Sequence, residues 1–139
     1  MPITKARAEW IENVRSVAVN ARSQSVVCDL GKPSGGTDAG PTAFELSLMA
    51  LADCAVTIFA DVAKNSKIQL TKMTAEVEAE KASDNPRPTN VTLKVRIAGK
   101  ARKNLLEAAW RRTEAACPVM EVFRNPIPVS VAVEIVSEE

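Results

Sequence analysis

Histidine is absent from this 139-residue chain. Its absence removes Ser-His and Cys-His nucleophile pairs and the usual zinc sites. Cysteine is scarce: Cys28, Cys54 and Cys117 are too few and too scattered for a secreted disulfide framework. In a reducing compartment such thiols are either buried hydrophobes or working groups. An excess of either charge is lacking too. Lys+Arg 18 against Asp+Glu 17 leaves a formal charge of +1, which points to neither nucleic acid nor an anionic membrane as partner. No apolar run approaches the roughly 20 residues needed to span a bilayer. The opening MPITKARAEW has no apolar signal core, so a cytoplasmic location is the expectation. If a cysteine is activated here, the cause must be a cation, a helix N-terminus or a second thiol.

What is present reads as one α+β domain. Over residues 3–30, period-2 alternation predicts three short half-buried strands. Ala6, Ala8 and Trp10 share a face in the first, Val17 and Val19 lie with Arg15 in the second, and Val26, Cys28 and Leu30 share a face in the third. Asn13 and the polar run Asn20 to Gln24 are the expected turns. GKPSGGTDAG, residues 31–40, is a loop by composition. Pro41 suits a first helical position, and the helix it opens runs to about Lys64, apolar on nearly every side. Such a helix is a buried one, and in a domain this small a second chain would be needed to cover it.

Two further strands follow, with Met73, Ala75, Val77 and Ala79 inward in one and Val91, Leu93, Val95 and Ile97 inward in the other. A second helix begins near Ala101 and carries Leu106, Ala109, Thr113 and Cys117 at spacings of three and four. Pro118 breaks it and opens a short helical turn. The chain ends in a strand with Ile127, Val129, Val131, Val133 and Ile135 on one face. The expected order is β-β-β-α-β-β-α-β with antiparallel pairing.

Cys117 has the stronger local case for reactivity, since the cap of a helical turn at Pro118 favours a thiolate. Cys54 shares a helix face with Leu51 and Ile58, where burial opposes ionisation unless a cation reaches it. Two unrelated core cysteines is the competing reading. Arg15, on an apolar strand face, is either snorkelling or paired with a buried anion. The glycine run could hold an anion before a helix, but it lacks the lysine and Ser/Thr of a P-loop. No cofactor and no metal is expected.

GGTDAGPTAFELSLMALADC, ending in Cys54, and EAACPV, holding Cys117, are together rather specific. From about Ile3 to Val136 the chain resembles the OsmC/Ohr family, the osmotically inducible and organic hydroperoxide resistance proteins. The resemblance implies an intertwined homodimer, with antiparallel sheets wrapped around two central helices. It also implies a thiol peroxidase: Cys54 attacks an organic hydroperoxide and becomes a sulfenic acid, Cys117 condenses with it to a disulfide, and an external dithiol, lipoyl-type in the best-known members, reduces that disulfide. In the peroxidase branches an arginine and a glutamate help hold the first cysteine as thiolate. The glutamate position, ten before the cysteine, is Phe44 here, and Glu45 stands one residue later. The arginine position falls near Asn13, which makes Arg15 the candidate and Arg22 a poorer one. The alternative within the family is a non-catalytic member that binds a small apolar ligand or senses thiol-reactive species.

Overall fold

The computed structural model describes residues 1–138. Among them the elements run β1 (Ala6–Glu12), β2 (Arg15–Asn20), β3 (Ser25–Cys28), a 3-10 turn (Lys32–Ser34), α1 (Ala43–Asn65), β4 (Gln69–Glu80), β5 (Asn90–Lys100), α2 (Lys103–Ala116) and α3 (Pro118–Arg124). The described chain is therefore α+β. It divides into two compact units, one comprising residues 1–53 and 75–95 and the other residues 54–74 and those from 96 onward.

In the first unit β1, β2 and β3 form an antiparallel meander, in which Ala8 pairs with Ala18, Val17 with Val27, and Ser16 with Cys28. Both expected turns are present. Asn13 adopts the left-handed conformation at φ 49°, which Asn tolerates better than most residues. The Asn20 side-chain carbonyl accepts the N–H groups of Arg22 and Gln24, each at 3.0 Å. The alternation predicts a buried face on β1, but this edge strand is exposed along its length. Trp10 keeps 71% of its surface exposed.

The glycine loop does hold an anion, and that anion belongs to the chain. Asp29, just after β3, is buried and receives the loop folded back over it. Its Oδ1 accepts the Leu30 N–H at 2.8 Å. Its Oδ2 accepts the Thr37 N–H at 3.1 Å, the Thr37 hydroxyl at 2.8 Å and the Ala39 N–H at 3.1 Å. Two glycines permit this wrap. A Cβ at Gly36 would stand 1.9 Å from the Leu30 carbonyl oxygen, and one at Gly40 would stand 2.0 Å from that of Val27.

The helix that follows starts two residues later than Pro41 suggests. Pro41 lies outside it, its carbonyl accepting the Asp29 N–H at 3.1 Å. Thr42 and Glu45 form a capping box: the Thr42 hydroxyl accepts the Glu45 N–H at 3.1 Å, and the Glu45 carboxylate accepts the Thr42 N–H at 2.9 Å. At the other end the Ile68 N–H bonds to the Ala63 carbonyl and the Lys67 N–H to that of Lys64, with Lys67 left-handed at φ 57°. This is a Schellman closure with lysine where glycine is usual. By length and composition α1 is also able to cross a membrane, contrary to the expectation that no stretch would qualify. Buried Leu51, Ala55, Phe59 and Ala63 are also what a core helix of a globular domain shows.

The second unit holds a core of Phe59, Ala63, Ile68 and Ala109, with Leu70, Met73, Ile97, Leu106 and Trp110 packed against it. The expected alternation along β4 and β5 is present, with Met73, Ala75, Val77 and Ala79 half-buried on β4 and Val91, Leu93, Val95 and Ile97 on β5. Gly99 admits close packing here: a Cβ would meet the Gln69 carbonyl oxygen at 3.2 Å and Leu106 Cδ2 at 3.3 Å. α2 begins at Lys103 rather than near Ala101, and α3 is a true helix of two turns. The expected C-terminal strand is not formed in the single chain. Residues 126–138 have no assigned strand, and Val131, Val133 and Ile135 are 81, 79 and 92% exposed. A strand exists only by pairing, and Pro126 and Pro128 remove two donors from its start.

Candidate functional site

The second unit brings two thiols together across 63 residues of sequence. Cys54 sits in mid-α1, on the side that carries buried Leu51 and Ala55. Cys117 ends α2 and begins α3 in one residue, with φ −76° and ψ 109°. Pro118 enforces that break, since it can donate no bond to α2 and its ring suits the first position of a new helix. The turn there carries the Cys117 side chain away from α3, where it makes no capping bond. Its Sγ–H instead donates to Cys54 Sγ, with the sulfurs 2.6 Å apart. That is longer than the roughly 2.05 Å of a disulfide bond, and no disulfide joins the two cysteines. Both are buried, Cys54 8% and Cys117 2% exposed.

Two side chains of α2 and α3 beside Cys117 in sequence, Thr113 and Met120, are buried with it. Thr113, one turn before Cys117 on α2, is fully buried and donates its hydroxyl proton to the Ala109 carbonyl at 2.9 Å. Met120 of α3 is 4% exposed. No group of three or more His, Cys, Asp or Glu side chains among the described residues could hold a metal ion. Cys28 stands apart in the first unit, half-buried opposite Ser16.

Arg15 and Glu45, the other two candidates, lie in the first unit, and each has partners there. The Arg15 guanidinium donates to Glu12 Oε1 at 2.9 Å and to the Thr37 hydroxyl at 2.6 Å. Its Nε lies 3.6 Å from Asp29 Oδ2 and is buried without a hydrogen-bond partner. Arg15 is thus paired with a buried anion rather than snorkelling. Glu45 closes the capping box of α1. Arg22 donates to the Gln24 side chain at 2.9 Å. Asp29 is the buried acid that the sequence reading missed. Its carboxyl is held well below the usual carboxylate range, first by the Thr37 hydroxyl and then by the N–H groups of Ala39, Leu30 and Thr37, against the opposing effect of burial. The signal lay in DLGKPSGGT: an acid at a strand end facing a glycine-rich loop, whose free N–H groups need an acceptor.

No curated protein sequence matches the chain. Among solved structures it is similar to an OsmC-like protein from Mycoplasma pneumoniae, at 14% identity and a TM-score of 0.76 over 90% of this chain and 89% of that one. It is also similar to an organic hydroperoxide resistance protein from Elizabethkingia anophelis, at 15% identity and a TM-score of 0.61 over 91% of each chain. A third similar structure is the organic hydroperoxide resistance protein OsmC from Legionella pneumophila, at 17% identity and a TM-score of 0.60 over 90% of this chain and 91% of that one. At these identities the likeness concerns the fold. The family model for OsmC-like protein matches residues 35–132, a stretch that holds both cysteines of the buried pair. The chain belongs to the OsmC-like protein family.

Proposed function

We propose that this protein is a thiol peroxidase for organic hydroperoxides, with Cys54 as the attacking thiolate and Cys117 as the resolving thiol. The observation that carries the reading is the approach of the two sulfurs to 2.6 Å in a buried setting. Cys54 attacks the terminal oxygen of the hydroperoxide. An S–O bond forms, the O–O bond breaks, and the alcohol leaves with a proton. Cys117 sulfur then attacks the sulfenic sulfur, so that an S–S bond forms and the oxygen departs as water. An external dithiol returns the disulfide to two thiols by exchange and is itself oxidised. The sulfurs need approach by only about 0.5 Å to reach bonding distance, so the second step needs little rearrangement. Buried apolar side chains near the two cysteines in sequence, Leu51, Ala55 and Met120, suit organic over inorganic peroxides.

We further infer a homodimer, cytoplasmic, in which a second copy covers the apolar residues that the single chain leaves exposed. Arg15 remains the candidate cation for the thiolate.

The test is turnover of cumene hydroperoxide with a dithiol reductant. The wild type is expected to turn over, Cys54→Ser to fall to background, and Cys117→Ser to stop after one equivalent with a sulfenic acid trappable by dimedone. Equal background rates in the wild type and Cys54→Ser would leave only the non-catalytic binding reading.

A further inference from the structure

We propose that the ion pair between Glu114 and Arg124 positions Cys117 for closure onto Cys54. What that closure serves rests on the peroxidase reading; the joint that the pair controls does not. Glu114 lies in the last turn of α2, which carries no basic residue. An acid there opposes the helix dipole, so local preference gives no reason for it. Its carboxylate instead accepts a hydrogen bond from Nη2 of Arg124, in the last turn of α3. The pair spans the break that carries Cys117 and ties the far end of α3 back to α2.

α3 has seven residues, too few to be a stable helix by itself, so its contacts set its direction. Met120, 4% exposed, anchors its near turn, and the ion pair holds the far one. Pro118 fixes its own φ and confines ψ of Cys117 to the extended region, where it stands at 109°. The soft joint left between the two helices is rotation about the N–Cα bond of Cys117. Cβ and the carbonyl carbon turn together about that bond, so whatever holds α3 also holds Sγ. The other arm of the corner is fixed as well. Ala109 of α2 shares a buried core with Phe59 and Ala63 of α1, and Arg112 Nη2 donates to the Ser66 hydroxyl at 2.9 Å. Cys117 thus has one arm packed on the helix of Cys54 and the other closed by Glu114 and Arg124.

The Cys117 Sγ–H is directed at Cys54 Sγ. Forming an S–S bond between them is intramolecular, and its rate follows the share of time spent in attacking geometry. The side chains of Arg124 and Glu114 are 55 and 36% exposed, which makes the pair's contribution modest and sensitive to salt. The positioning effect is therefore about two- to fivefold.

The experiment mixes reduced, full-length Cys28→Ser protein with dipyridyl disulfide in stopped flow and follows released pyridinethione. One protein thiolate attacks the reagent: a protein–pyridyl S–S bond forms and the first pyridinethione leaves. The second thiol loses its proton, attacks the protein sulfur and expels the other pyridinethione. Two thiols are oxidised to one disulfide while the reagent is reduced. The second phase does not depend on reagent concentration and measures closure. In this background Glu114→Gln and Arg124→Gln should each slow it about two- to fivefold and leave the first phase no slower. The double variant should lose no more than either single one, and about 1 M NaCl should bring parent and variants together. A second phase unchanged in both single variants, both phases slowed alike, or losses that add in the double variant would overturn the proposal. So would a gap that survives the salt, or a parent that releases only one equivalent. Slowed closure in a protein without cumene hydroperoxide turnover would sink the peroxidase reading alone. Turnover with closure unchanged in the variants would sink this one alone.

Discussion

Asp29 shows how much one side chain organises. Four donors converge on its carboxylate and the Arg15 guanidinium stands beside it, so its folded form strongly prefers to stay ionised. The sign follows from linkage. A carboxyl depressed on folding contributes stability that is fully present above its unfolded value of about 3.9 and is lost as pH falls toward the folded value. Asp29→Asn should therefore lower the urea midpoint clearly at pH 7, because its amide would point a donor at N–H groups that need an acceptor. The gap to the wild type should narrow as pH falls below 4. A gap that stays constant down to pH 2 would assign the loss to packing instead. Arg15 was legible in the sequence as an arginine out of place on an apolar face, and its anion was not. A buried acid is recognised by the donors around it, and the Thr37 and Ala39 donors arrive only once Gly36 and Gly40 let the loop close. The thiol pair divides in the same way. The turn at Pro118 was readable from proline chemistry, whereas the meeting of Cys117 with a helix 63 positions away came from tertiary packing that no local spacing encodes.

At the scale of elements, α1 is fixed by its ends. The box of Thr42 and Glu45 satisfies two of the N–H groups that a helix start leaves open. Thr42→Ala should cost about 1 kcal/mol of unfolding free energy. Glu45→Gln preserves the box and should leave stability within about 0.5 kcal/mol. That substitution also separates capping from chemistry. A Glu45→Gln protein with wild-type stability and unchanged kcat/KM has a glutamate that only caps, while a fall in kcat/KM at unchanged stability gives it a part in the reaction. At the far end, Lys67 occupies a left-handed position that costs a side-chain-bearing residue roughly 1–2 kcal/mol, less the unfolded-state entropy that glycine adds. Lys67→Gly should therefore raise the thermal midpoint modestly, by about 0.5 kcal/mol in stability. T-A-F-E is a readable capping signature. Pro41 drew the expected boundary away from it, because proline is as much at home just outside a helix as at its first position.

For the whole molecule, the informative failure of the sequence reading is the missing last strand. Ile127, Val129, Val131, Val133 and Ile135 alternate as a strand should, yet in the single chain all five are between 66 and 92% exposed. β1 is exposed along its length as well. Apolar surface on this scale is uncommon on a monomer, and a sheet edge supplies the backbone partners that alternation alone cannot. The proposed homodimer would account for both, with a second copy supplying the pairing edge that the single chain lacks. In a twofold dimer any substitution at the interface acts twice. Burying one valine contributes about 1.5 kcal/mol or more, and a lysine in its place adds the cost of removing a charge from water. Val131→Lys should therefore raise the dimer dissociation constant by at least about a hundredfold. Sedimentation velocity over a dilution series measures that shift. A lysine at Ser130, on the opposite face of the same segment, should leave association close to wild type. If the wild type sediments as a monomer at every concentration, the exposed alternation has no second copy to explain it. If both lysines weaken association equally, charge near the interface is responsible, and the strand register inferred from the alternation is wrong.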